Sequence, residues 1–196
     1  MTSKAQDDNT DDNPFLSPSD PRKDFFPYET IDFATRLEAL DRNWTAARYT
    51  RHQRIRFRDS GVSTFIDFVW GDGVQFVTYS GRSMNIIDAV PTRKGYAVVL
   101  KLPRAFYAGE VFEVVIERKV IGAFFDELNY WESIPQTPTE HLSIDVIAPA
   151  GTGFRAPEVV LPPRREFAAA VRGKTFHFQI HRPPAHTPYR LTWLRK

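Results

Sequence analysis

Between Gly109 and Pro149 the chain alternates between apolar and polar positions in a way that sets the frame for the rest. Phe112, Val114 and Ile116 alternate with Val111, Glu113, Val115 and Glu117. Further on, Leu142, Ile144 and Val146 alternate with His141, Ser143 and Asp145. Between these runs lies a third segment, IGAFFDELNYWES. A period of two puts one face of each segment in a core and the other in water, the signature of antiparallel pairing, so this stretch predicts three successive strands.

The same period recurs along the chain. In Arg48–Arg58, Ile55 and Phe57 fall on one side and Arg48, His52, Arg54, Arg56 and Arg58 on the other, with Arg51 opposite that basic row. Ser63–Trp70 follows, and the Asp-Gly step in Trp70-Gly71-Asp72-Gly73-Val74 predicts a hairpin with Val74–Tyr79 pairing back. Met84–Val90 and Tyr96–Leu102 flank the turn-forming Pro91–Gly95. Glu158–Leu161, Lys174–His181 and the row Tyr189, Leu191, Trp193 complete about ten strands.

Two segments read differently. Phe33, Leu37 and Leu40 are spaced four and three apart behind Asp32, a good N-cap, which predicts a helix over 32–41. The alanines of 164–171 favour a second short helix. The fold expected is mainly β: an antiparallel β-sandwich, with a β-barrel as the alternative, and one or two short helices.

Charge and composition divide the chain once. Residues 1–24 carry six Asp against Lys4, Arg22 and Lys23, show no periodicity, and read as a disordered acidic arm. Residues 25–196 read as a single domain, and the last part, 155–196, carries nine Lys or Arg against Glu158 and Glu166. No apolar run is long enough for a membrane helix, and the N-terminus has no apolar signal core, so no membrane association is expected. The absence of cysteine removes disulfides and thiolate sites and fits a cytoplasmic setting, in which Asn43-Trp44-Thr45 is a chance sequon.

The motifs that would carry chemistry fail on spacing. Gly173-Lys174-Thr175 lacks the earlier glycine of a phosphate loop, where Ala168 stands, and a strand rather than a helix follows it. Asp7, Asn9 and Asp11 imitate a calcium loop, but Asp12 and Pro18 occupy its obligatory Gly and Glu positions. His177 and His181 are four strand residues apart, roughly 13 Å, too far to share a zinc ion. No cofactor or metal is expected.

Three surfaces remain as candidates. Asp126, Glu127, Asn129, Tyr130 and Trp131 gather polar and aromatic groups in one short segment able to grip a protein partner or a ligand. Tyr130 and Trp131 are adjacent, so on a strand only one can enter the core. Arg48, Arg54, Arg56 and Arg58 form a basic row suited to phosphate, which makes a nucleic acid or a nucleotide second messenger the alternative partner. A hydrolase or isomerase using Asp126, Glu127 and Glu132 is a third reading. The leading expectation is a non-catalytic binding or adaptor module within a larger cytoplasmic, bacterial assembly.

Overall fold

The computed structural model of the chain describes residues 26–71, 73–79, 84–93, 95–124, 126–152, 154–160 and 168–194. The expected arm, 1–24, lies outside them. Among the described residues the chain forms thirteen strands and no helix. They are β1 (Tyr28–Ala39), β2 (Ala46–Phe57), β3 (Val62–Trp70), β4 (Val74–Tyr79), β5 (Asn85–Pro91), β6 (Gly95–Phe106) and β7 (Val111–Ile121). The chain continues through β8 (Leu128–Ser133), β9 (Thr139–Ile147), β10 (Arg155–Val160), β11 (Ala168–Arg172), β12 (Thr175–His181) and β13 (Tyr189–Leu194).

Three sheets result, none closed into a barrel: a seven-stranded sheet in the order β11-β12-β9-β1-β2-β7-β4, and two three-stranded sheets, β10-β13-β8 and β3-β6-β5. Both small sheets pack on the same face of the large one. Phe33, Leu37, Tyr49, Leu142, Ile144 and Phe178 of the large sheet share a core with Tyr189, Leu191 and Trp193 of β13. Tyr28, Ile55, Phe57, Val114 and Ile116 share a second core with Phe65 of β3 and Leu100 of β6. Removing these side chains from water is the main favourable contribution, about 1.5–3 kcal/mol for each large one.

The inward rows of the central strands pass from one core to the other. Along β2, Ala47 and Tyr49 belong to the first core and Ile55 and Phe57 to the second. Between them, the inward positions are Arg51 and Gln53. Along β7, Val114 and Ile116 precede the buried Arg118, and Val120 follows it. The seam between the small sheets is thus floored by polar side chains. Gln53 Nε2 donates to Thr30 Oγ1 at 2.9 Å, Thr30 Oγ1 lies 2.7 Å from Thr137 Oγ1, and Thr35 Oγ1 lies 3.2 Å from Ser133 Oγ. Each buried hydroxyl or amide in this row is therefore partnered, which offsets its desolvation.

Three expectations need correction. Residues 32–39 are the last two thirds of β1, not a helix. Phe33 and Leu37 are four apart and so satisfy both periods; the buried Thr35 between them completes an inward row that its polarity disguised. A register shift between Thr30 and Asp32 also puts the consecutive residues Thr30 and Ile31 both inside, a β-bulge that breaks the alternation. The second expected helix is described only from 168, where Ala168–Arg172 pairs with β12 as β11.

The glycine-rich link at 70–74 is no hairpin either, since β3 pairs with β6 and β4 with β7. Gly71 (φ 113°) and Gly73 (φ 79°) use backbone conformations open to glycine, and a side chain on Gly73 would collide with the Ile121 carbonyl. The link carries the chain from one sheet to another. Pairing is otherwise antiparallel, as expected, except that β1 and β9 run parallel.

Candidate functional site

A cleft of about 370 Å³ opens where the two small sheets fail to meet over the large sheet. Its floor is Phe33 of β1, Tyr49 and Arg51 of β2, and Arg118 and Val120 of β7. Phe68 and Trp70 at the end of β3 form one wall, and Asn129–Ser133 of β8 the other. Asn129 is fixed by donating from Nδ2 to the Asp126 carbonyl at 2.8 Å, which folds the approach to β8 against the strand.

Arg51 and Arg118 are each 5% exposed and converge on Asp67 of β3, which is 0% exposed. Arg118 Nη2 donates to Asp67 Oδ1 at 2.9 Å, to Oδ2 at 2.8 Å and to the Phe68 carbonyl at 3.0 Å. Arg51 Nη2 lies 3.0 Å from Asp67 Oδ1, without the alignment of a hydrogen bond. The Tyr79 hydroxyl donates to Oδ2 at 3.0 Å. Burial would lower the Arg118 pKa, but the Asp67 charge and its hydrogen bonds outweigh that and raise it. Burial also pushes the Tyr49 and Tyr79 hydroxyls up, so both stay neutral at ordinary pH.

Aromatic rings enclose these charges. The Arg118 guanidinium carbon sits 5.2 Å from the Tyr49 ring centre, and that of Arg51 lies 5.5 Å from Phe33 and 5.8 Å from Phe65. Trp131 packs on Tyr49 with centroids 4.9 Å apart, and its indole N–H has no hydrogen-bond partner. Arg51 Nε and Arg118 Nε likewise have no hydrogen-bond partner, and Arg51 Nη2 has only its ion pair with Asp67.

Of the five residues singled out for partner or ligand binding, Asp126, Asn129, Tyr130 and Trp131 line this cleft. Glu127 is exposed and does not. The neighbours Tyr130 and Trp131 do part company: Trp131 turns toward the first core, and Tyr130 stays 49% exposed beneath the Arg190 guanidinium, 4.5 Å from its ring centre. Glu132, a candidate catalytic carboxylate, is held by Arg190 at 2.8 and 3.1 Å.

The basic row lies elsewhere, toward the outer face of the large sheet. Arg54 pairs with Asp32 at 3.1 Å, Arg56 with Glu29 at 2.7 Å and Glu140 at 3.6 Å, and Arg58 with Glu29 at 3.3 Å. Arg48 lines a separate hollow with His52, Glu117 and Asp145. On the outer side, too, His177 Nδ1 lies 2.6 Å from Asp145 Oδ1, and His181 Nδ1 lies 3.2 Å from His141 Nδ1 on the neighbouring strand. Among the described residues no group of three or more His, Asp or Glu could hold a metal ion.

Sequence reasoning set Arg51 aside as the residue opposite the basic row and passed over Arg118 and Asp67. The available signal was the alternation itself: Asp67 and Arg118 stand between apolar inward neighbours, and Arg51 follows the inward Tyr49 in a row that ends in Ile55 and Phe57. A charge in such a row must be paired or used.

No protein-family model matches the chain, and no curated protein matches it. Solved structures of similar fold include a protein from Parabacteroides distasonis assigned as a protease. Its TM-score is 0.55 and its identity 8%, over 86% of this chain and 40% of that one. A variant M1 zinc metallopeptidase from Deinococcus radiodurans gives a TM-score of 0.52 at 11% identity, over 85% of this chain and 42% of that one. A protein from Legionella pneumophila assigned as nutrient-binding gives 0.54 at 10% identity, over 84% and 67%. The chain spans about two fifths of the length of the first two. At such identities the likeness is one of fold.

Proposed function

We infer that the chain is a non-catalytic binding module whose ligand or partner segment seats in the cleft between the two small sheets. The observation that carries this reading is the set of buried N–H groups without hydrogen-bond partners in a concave site, Nε of Arg51 and Arg118 on its floor and the Trp131 indole in its wall. Specific sites in proteins combine mostly apolar walls with a few converging polar groups, and this cleft has both. Glu132 is occupied by Arg190, and Asp126 is exposed, so the carboxylates nearby are poorly disposed for paired acid and base work. The stacked sheets suit a sandwich-like scaffold, rigid enough to hold such a site open. A cysteine-free composition suits a cytoplasmic setting, within a bacterial assembly.

The test is a fragment screen on the full chain by 1H–15N NMR. Hits are expected to move Tyr49, Asn129 and the Trp131 indole signal together. Hits that instead move only Arg54, Arg56 and Arg58 on the outer face would overturn the reading.

A further inference from the structure

The buried charges on the cleft floor do not balance. Arg51 and Arg118 stand against Asp67 alone, and both of its oxygens are already engaged, Oδ1 by the two arginines and Oδ2 by Arg118 and Tyr79. Of the other carboxylates on the cleft, Glu132 is bound to Arg190 and Asp126 is exposed at the mouth. Guanidinium does not shed its proton to escape burial, so the surplus charge persists. Arg51 Nε and Arg118 Nε add two unfilled donors at the same place. Leaving such groups buried and unpaired is costly, and one incoming anion would relieve both deficits.

The walls say what should carry that anion. Phe33 and Tyr49 of the floor, with Phe68, Trp70, Phe124 and Trp131 around it, make the lining aromatic, which calls for an apolar body rather than a free ion. The surplus is a single charge, which a carboxylate matches, whereas a phosphate dianion overshoots. Resting on the reading of the cleft as the binding site, we propose that it takes a monocarboxylate carried on an apolar or aromatic body, such as the free C-terminus of a peptide ending in a large apolar residue. The carboxylate is received by Arg51 and Arg118 and the body by the aromatic walls, with the Trp131 indole N–H a further donor at the site.

The experiment titrates the full chain with 3-phenylpropanoate, its neutral amide and phenyl phosphate, following the arginine Nε–H and tryptophan indole signals by NMR. The expected result is that the acid shifts Arg51, Arg118 and Trp131 and binds at least about tenfold more tightly than the amide, since hydrogen bonds to charged groups are the strong ones. Equal binding of acid and amide at Trp131 would overturn the carboxylate assignment and leave the cleft as the binding site. Tighter binding of phenyl phosphate would also overturn it. Shifts confined to other surfaces, or none with any probe, would overturn both.

Arg51→Met supplies an independent arm. It leaves Arg118 and Asp67 as a balanced pair with Tyr79 still donating, so the variant is expected to fold with an undiminished melting temperature and to lose the preference for acid over amide. A variant that melts lower yet keeps that preference would show Arg51 to be a structural tie only.

Discussion

Arg118 and Asp67, 51 positions apart in the chain, are joined by one guanidinium nitrogen that donates to both carboxylate oxygens, at 2.9 and 2.8 Å. The bond fastens β3, and with it the whole β3-β6-β5 sheet, to the large sheet at the point where apolar packing gives way to the cleft. Replacing Asp67 with Asn would strand two buried guanidiniums. Asp67→Asn is expected to cost about 3–5 kcal/mol in urea unfolding, the usual consequence of removing one partner from a buried ion pair. A loss below about 1 kcal/mol would mean that water, not Asp67, balances those charges.

The polar seam separates two hydrophobic cores, so damage to one should not be felt in the other. Phe178→Ala in the first and Leu100→Ala in the second are each expected to cost about 2–5 kcal/mol. Because the clusters share no residue, the double variant should lose the sum to within about 0.5 kcal/mol. Milder losses than these could be hidden by partial unfolding of one small sheet, so the comparison should be made on the denaturant slope as well as the midpoint. Coupling well above that margin would contradict the picture of separate cores.

The turn between β6 and β7 offers a titration with a fixed sign. Glu110 takes two hydrogen bonds from Arg104, at 2.9 and 2.8 Å, and one from the Tyr107 backbone N–H at 2.7 Å. The Arg104 bonds, then the Tyr107 bond, lower its pKa from 4.5 to about 2. A carboxylate depressed on folding stabilises the native state above its unfolded value and ceases to do so as pH falls through the folded one. The contribution should therefore be complete above about 4.5 and fade as pH falls from there to about 2. Side-chain carboxyl NMR of Glu110 should show a midpoint near 2, moving up toward 4.5 in Arg104→Met; a midpoint near 4.5 in the native chain would refute the arrangement.

The outer basic row is expected to be inert toward the cleft. The Arg54→Glu, Arg56→Glu double variant breaks exposed pairs with Asp32, Glu29 and Glu140, each worth no more than about 1 kcal/mol, so the fold should survive. Binding of 3-phenylpropanoate should not change. Titration with single-stranded oligonucleotide supplies the counter-test: affinity that falls steeply with salt and disappears in this variant would assign the face to phosphate after all.

Much of this architecture was legible because period-two alternation survives wherever one face is apolar. The strands containing Ile55 and Phe57, Val114 and Ile116, or Phe176, Phe178 and Ile180 were all readable in this way. What failed was reading strands whose alternation is interrupted by an inward polar residue or carried by small side chains. Thr35 made β1 look helical, and Ala168–Ala170 carry too little side chain to announce a strand. The glycines at 71 and 73 fall at the break between β3 and β4, but sheet membership is decided by pairing partners far away in the chain. The DELNYWES segment drew notice through its composition. Its relation to Arg51, Arg118 and Asp67 depends on two sheets stopping short of each other, and no local pattern encodes that.

The parallel pairing of β1 with β9 has a consequence in time. β1 finds one of its two neighbours only after β9 has been made, and Thr30 and Thr137, which meet at 2.7 Å, are 107 residues apart. Closing such a span is paid for in entropy before any contact rewards it, which slows folding. Until then the growing chain presents the outer edge of the β1–β2 hairpin as an open row of backbone donors and acceptors, the form in which strands aggregate. The interval between synthesis of β1 and docking of β9 thus leaves the chain open to misassembly.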